Sequence, residues 1–97
     1  MKKLFISQPM RDKSHEEIMA ERAKAVEAAE ALLGERVEVL DSVLTECSRG
    51  PLWCLGRSLC IMAQADVVYF APGWQDARGC RIEHACAKEY GIERIGA

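Results

Sequence analysis

Hydrophobic and polar positions along this chain switch repeatedly between a strand period and a helix period. "KLFIS" (3–7) is a short apolar run that predicts a buried strand, and Pro9 ends it. "SHEE" (14–17) matches a capping box, with Ser14 at the N-cap and Glu17 at the third helical position. In the helix that follows, Ile18, Ala25, Val26, Ala29, Leu32 and Leu33 fall near helical spacing, and Gly34 supplies the stop. "RVEVL" (36–40) alternates and is β-branched, so it predicts a second strand. "LDSVLTECSRG" (40–50) carries turn residues and reads as a loop, ended by Pro51 at a first helical position. From there Leu52, Leu55, Leu59 and Met62 recur at helical spacing. "DVVYF" (66–70) is continuously apolar, as expected of a strand covered on both faces. After Pro72 and Gly73 a polar loop leads into a third helix. That helix runs to about Tyr90, is stopped by Gly91, and "ERIGA" forms a short last strand.

The order βαβαβαβ predicts a parallel sheet with helices on both faces and right-handed crossovers. The expected fold is α/β: a three-layer αβα sandwich with a short parallel sheet, Rossmann- or flavodoxin-like, in one domain spanning residues 1–97. No internal repeat, linker or low-complexity segment interrupts it. Ligands in such sheets bind beyond the carboxyl ends of the strands, near the switch in strand order. Two segments fall there: "SQPMRDKS" after the first strand and "APGWQDARG" after the third.

Composition narrows the partners. Ninety-seven residues, 49% hydrophobic and 29% charged, fit an ordinary globular protein near the lower end of domain size. Marginal stability at this length favours self-association, and a homodimer or higher homo-oligomer is expected. The net charge of −2 gives no argument for a nucleic acid polymer or an anionic membrane. No stretch approaches the ~18–20 apolar residues of a membrane span. The five cysteines, Cys47, Cys54, Cys60, Cys80 and Cys86, are odd in number and contain no C-x-x-C pair. The apolar run in "MKKLFISQPM" is too short for a secretory signal, so reduced cysteines in a cytoplasmic protein are expected. His15 and His84 have no metal-ligand spacing to these cysteines, and no metal site is expected.

The third helix and the loop before it carry the candidate chemistry. Glu83 falls in the first turn or two of that helix, where the dipole and local amides would lower its pKa. An ionised carboxylate suits a nucleophile or an electrostatic stabiliser; the alternative is a helix-stabilising Glu. Asp76, seven residues earlier, would serve as a general acid if its environment raised its pKa, or would simply make a turn. Arg78 and Arg81 flank Gly79 and pair either with phosphate or with these acids. His84 is assigned to the surface or the structure. Trp74, in a polar loop, either stacks on a base or covers the core edge. "SQPMRDKS" offers Ser7, Gln8 and Arg11 at the mouth of the first strand, and it is neither a dinucleotide fingerprint nor a Walker A loop. Arg11 ahead of a capped helix would suit an anionic group.

With these residues in view, the chain resembles the small DUF4406 proteins, within the nucleoside 2-deoxyribosyltransferase-like superfamily. The resemblance runs through "KLFISQPMR", "LGERVEVLDS", "PLWCLG", "ADVVYF", "GWQDARGCRIEHACA" and "YGI", nearly the whole length. The superfamily cleaves or exchanges the N-glycosidic bond of deoxynucleosides or their monophosphates, using a helix-borne Glu in a G-x-x-x-E-x-G-x-A pattern. "GCRIEHACA" matches it at Gly79, Glu83 and Ala87, with Ala85 in place of the second glycine. The resemblance implies that Glu83 attacks the anomeric carbon and that Asp76 lies close to the sugar. It also implies a second acid eight residues before Asp66, and that position holds Ser58. The chain ends soon after the fourth strand, without the part that in nucleoside transferases reaches into a neighbouring subunit.

The expected function is therefore an N-glycosidase or deoxyribosyltransferase-like protein acting on a nucleoside or nucleotide. Glu83 and Asp76 would be catalytic, and Ser7, Gln8, Arg11, Trp74, Arg78, Gly79 and Arg81 would bind substrate. No metal or redox cofactor is implied. The rival is a non-catalytic nucleotide sensor of the same fold, which the Ser58 departure favours.

Overall fold

Strand β1 (Lys2–Ser7) lies inside the sheet because its apolar residues have partners on both faces and both edges. The computed structural model describes residues 1–40 and 49–96. Four parallel strands run in the order β2-β1-β3-β4, with β2 at Val37–Val39, β3 at Val67–Phe70 and β4 at Glu93–Ile95. Helices α1 (His15–Leu33), α2 (Pro51–Met62) and α3 (Arg78–Glu89) connect them, and a short 3-10 turn (Trp74–Asp76) precedes α3. The βαβ alternation and the αβα sandwich are as the periodicity indicated. The expected loop at 40–50 falls largely outside the described residues, as does Cys47.

Strand alternation divides the core in two. Leu4, Ile6 and Val67 point to one face and bury against Ala25 and Ala29 of α1. Phe5, Val68 and Phe70 point to the other and bury against Met62 of α2 and Ala87 of α3. Each large side chain removed from water contributes about 1.5–3 kcal/mol. Small alanines at the contact let α1 and α3 lie close to the sheet. The Ser14–Glu17 capping box is present in full, with Ser14 Oγ accepting from the Glu17 amide at 3.1 Å. Gly34 closes α1 in the left-handed conformation (φ 69°) that a side chain would resist. Leu32 departs from expectation: it sits at the margin of the inward Ala25–Ala29–Leu33 row and is 57% exposed.

The cysteine expectation also needs correcting. Cys60, Cys80 and Cys86 are free, but Cys54 is disulfide-bonded. Spacing along the chain does not report which thiols the fold brings within bonding distance. No helix among the described residues is long and apolar enough to cross a membrane.

Candidate functional site

The switch point of the sheet lies between β1 and β3, where the connections leave in opposite directions. Beyond the carboxyl end of β1, between the first halves of α2 and α3, a cleft of about 710 Å³ opens. Its floor is Phe5, Gln8 and Pro9; Leu55 and Ser58 line it from α2, and Gly79, Ile82 and Glu83 from α3. Most of this lining is apolar. Glu83 is its carboxylate among the described residues.

Strand parity explains how Glu83 is held. Ser7 has the same parity as Phe5, so its side chain faces α3, and it is 1% exposed. Its hydroxyl donates to Glu83 Oε1 at 2.6 Å, joining residues 76 apart in sequence. A donor this short to a carboxylate is a charge-assisted bond when Glu83 is ionised, and it leaves Oε2 without this restraint. Glu83 itself is 8% exposed.

That burial overturns the expected charge state. Desolvation raises the Glu83 pKa to about 7, against the opposing effect of the Ser7 hydrogen bond. The helix start does not depress it, because α3 begins at Arg78 and Glu83 stands in its second turn, beyond the amides where the dipole acts. Glu83 is thus poised to gain or lose a proton near neutrality. Cys80, beside it on the cleft wall, is pushed up by burial and held back by its hydrogen bond to Ser7.

The structure gathers some of the anticipated residues and separates others. Gln8, Arg78, Gly79 and Glu83 line the cleft, with Ser7 directly behind Glu83. Gln8 is buried; its amide donates to the Ile18 carbonyl at 3.3 Å, and its Oε1 has no hydrogen-bond partner among the described residues. A Cβ on Gly79 would point into open space, so the glycine leaves room at the wall. Asp76 and Arg11 are exposed and are not lining residues. Arg81 also lies outside the lining and donates to the Gln75 carbonyl at 3.0 Å. Trp74 stacks on His84 with ring centroids 4.2 Å apart and packs on Phe70 at 5.5 Å, covering the core edge. Arg94 approaches His84 Nε2 at 3.2 Å; because an arginine only donates, that nitrogen accepts and the ring is neutral. Burial and the charges of Arg94 and Lys88 lower the His84 pKa accordingly.

Sequence reasoning missed the apolar walls, Leu55 and Ile82, and the Ser7–Glu83 pair. Parity along "KLFIS" carried the signal for Ser7. Among the described residues, no group of three His, Cys, Asp or Glu side chains could hold a metal ion.

A family model described as a domain of unknown function, DUF4406, matches residues 2–95 of the chain. No curated protein and no solved structure matches it.

Proposed function

The chain belongs to the DUF4406 family, and from that premise we propose that it binds a nucleoside or nucleotide in the α2–α3 cleft and cleaves or exchanges the base–sugar bond through Glu83. The observation that carries this reading is a buried carboxylate on the cleft wall, with one oxygen held by Ser7 at 2.6 Å. In its ionised form Glu83 attacks the anomeric carbon through Oε2, the base departs, and water or a second base takes the sugar from the carboxylate. Arg78 and the first amides of α3, which has no side-chain cap, favour a 5′-phosphate at the same wall. Gln8 and Gly79 complete the binding surface, while Asp76, Arg11, Trp74 and Arg81 take no part in it.

Product chromatography after incubation with a panel of nucleosides and 5′-monophosphates tests this directly. Free base should appear, monophosphates should outperform nucleosides, and the rate should rise with pH as Glu83 ionises. A panel that yields no free base rejects the enzymatic reading. The sensor alternative draws on Ser58, a hydroxyl on the α2 wall where the resemblance implies an acid. Under that reading, nucleotides raise the thermal midpoint without releasing base. The chain also self-associates in this proposal, through α2, whose Leu52 and Trp53 remain 80% and 41% exposed. Light scattering that gives a monomer mass at every micromolar concentration would reject that part.

A further inference from the structure

Breaking an N-glycosidic bond leaves the bonding electron pair on the base nitrogen. A neutral base then departs as an anion unless an acid protonates it. The described lining of the cleft is poor in such acids. The β1 end contributes the amide of Gln8, while Ser7, behind the lining, commits its proton to Glu83. The α2 wall contributes Ser58 and the disulfide-bonded Cys54. From α3 come the guanidinium of Arg78 and the Cys80 thiol, the latter made a weaker acid by burial. What the site does supply is one desolvated carboxylate among apolar walls.

We propose that the substrate of this cleft is an N-glycoside whose heteroaromatic base carries a fixed positive charge at the glycosidic nitrogen, as in a pyridinium nucleotide. The proposal rests on the reading of Glu83 as the sugar-side nucleophile. Glu83 Oε2 forms a bond to the anomeric carbon as the carbon–nitrogen bond breaks. The electron pair returns to the ring nitrogen and cancels its charge, so the base leaves neutral without taking a proton. Water then adds to the anomeric carbon, the carboxylate departs, and one proton goes to solvent. No second acid enters either step.

Recognition follows from the same chemistry. A flat cation fits apolar walls made by Phe5, Pro9, Leu55 and Ile82, and the Glu83 carboxylate gives it an opposite charge where water is scarce. Arg78 at the start of α3 lies on the wall where a phosphate on the same ligand would sit. The cation also favours the ionised carboxylate, so binding expels a proton from Glu83 wherever Glu83 is protonated in the free protein.

The test uses two ligands of nearly one shape and different charge: nicotinamide mononucleotide and its uncharged dihydro form. By calorimetry on the full chain, the charged form should bind about tenfold more tightly at about pH 8.5, and that advantage should shrink toward about pH 6 as Glu83 takes up its proton. Nicotinamide should be released about 100-fold faster than adenine from adenosine monophosphate, a factor that a general acid commonly supplies and the described lining does not offer. Equal affinity for the two forms at both pH values overturns the proposal, as does failure to bind either. Release of adenine at the same rate as nicotinamide overturns it too, while leaving Glu83 as a nucleophile intact. Selective binding of the charged form without turnover upholds the ligand class and sinks the enzymatic reading instead. Glu83→Gln, checked by circular dichroism for retained fold, should erase the preference for the charged form.

Discussion

The two faces of the sheet are built from the same strands and differ in what they tolerate. Under α1 the face is apolar and closed: Leu4, Ile6, Ala25, Ala29 and Val67 are each at most 2% exposed. Under α2 and α3, Phe5, Val68 and Phe70 fill the central part with Met62 and Ala87. Toward the carboxyl end of β1 that packing gives way to Ser7, Glu83 and an open cleft. One step of strand alternation decides it: Ile6 goes to the closed face, and Ser7 to the open one. The site is thus a local exchange of apolar packing for a buried polar pair. Its cost is the difficulty of ionising Glu83 there, a shift from 4.5 to about 7. That corresponds to roughly 3 kcal/mol at pH values above the folded-state pKa.

The largest effect expected of any single change lies on the open face and concerns activity. Glu83→Gln keeps the shape and removes the proposed nucleophile, and base release should fall by about 10³-fold or more, since an amide cannot take the covalent step. Full turnover in this variant would make Glu83 a structural residue, and the contrast between the faces would lose its functional meaning.

Stability should show the converse asymmetry. Leu4→Ala, on the closed face, should destabilise by about 2–5 kcal/mol in urea denaturation, because its site has little means of collapsing. Leu52→Ala, on the exposed α2 surface proposed for self-association, should cost within about 0.5 kcal/mol at concentrations where the chain is monomeric. A loss at Leu52 that grows with protein concentration would support the self-association surface on α2.

The open face should also give stability a particular pH dependence. Glu83 has a folded-state pKa above its unfolded value, so its contribution is most favourable below about pH 4.5, where both states are protonated. As pH rises toward about 7, the unfolded chain ionises first and stability falls, by up to roughly 3 kcal/mol from this group; above about 7 the term is flat. Glu83→Gln should remove that slope and make the protein more stable than wild type at about pH 8. An unchanged slope, measured by urea titration at several pH values, would mean that Glu83 ionises as freely in the fold as outside it.

Much of the fold was legible in the residues, and the reasons are local. The Ser14–Glu17 box, the glycine stop at Gly34 and the continuous "DVVYF" run each specify their element through nearest neighbours in sequence. The cleft's position followed from strand order alone. Its chemistry did not, because the Glu83 pKa depends on burial in the folded chain and on the Ser7 hydroxyl of β1, and no spacing along α3 reports that. The same limit applies to Trp74. Its indole is placed by Phe70 and His84, four residues before it and ten after, and a polar neighbourhood in sequence concealed an aromatic one in space. Arg11, Asp76 and Arg81 illustrate the remaining ambiguity. Each lies within a few residues of the cleft in sequence, yet none lines it.

The smallest of these effects, and the most discriminating, belongs to Ser7. Its hydroxyl donates to Glu83, and this bond favours the ionised carboxylate against desolvation. Ser7→Ala should therefore move the pH midpoint of any Glu83-dependent activity upward by about one pH unit. Stability should respond unevenly. At about pH 8 the variant should lose about 1–2 kcal/mol, since an ionised carboxylate is left short of a donor in a dry site. At about pH 5 the loss should be smaller, because a protonated Glu83 places less demand on that hydroxyl. A packing defect at a side chain this small would cost the same at both pH values. Ser7→Thr, which keeps the hydroxyl, should restore the midpoint if the extra methyl is accommodated, and urea titration will show whether it is. A pH-independent loss in Ser7→Ala, with the activity midpoint unmoved, would reduce Ser7 to a small residue filling the end of a strand.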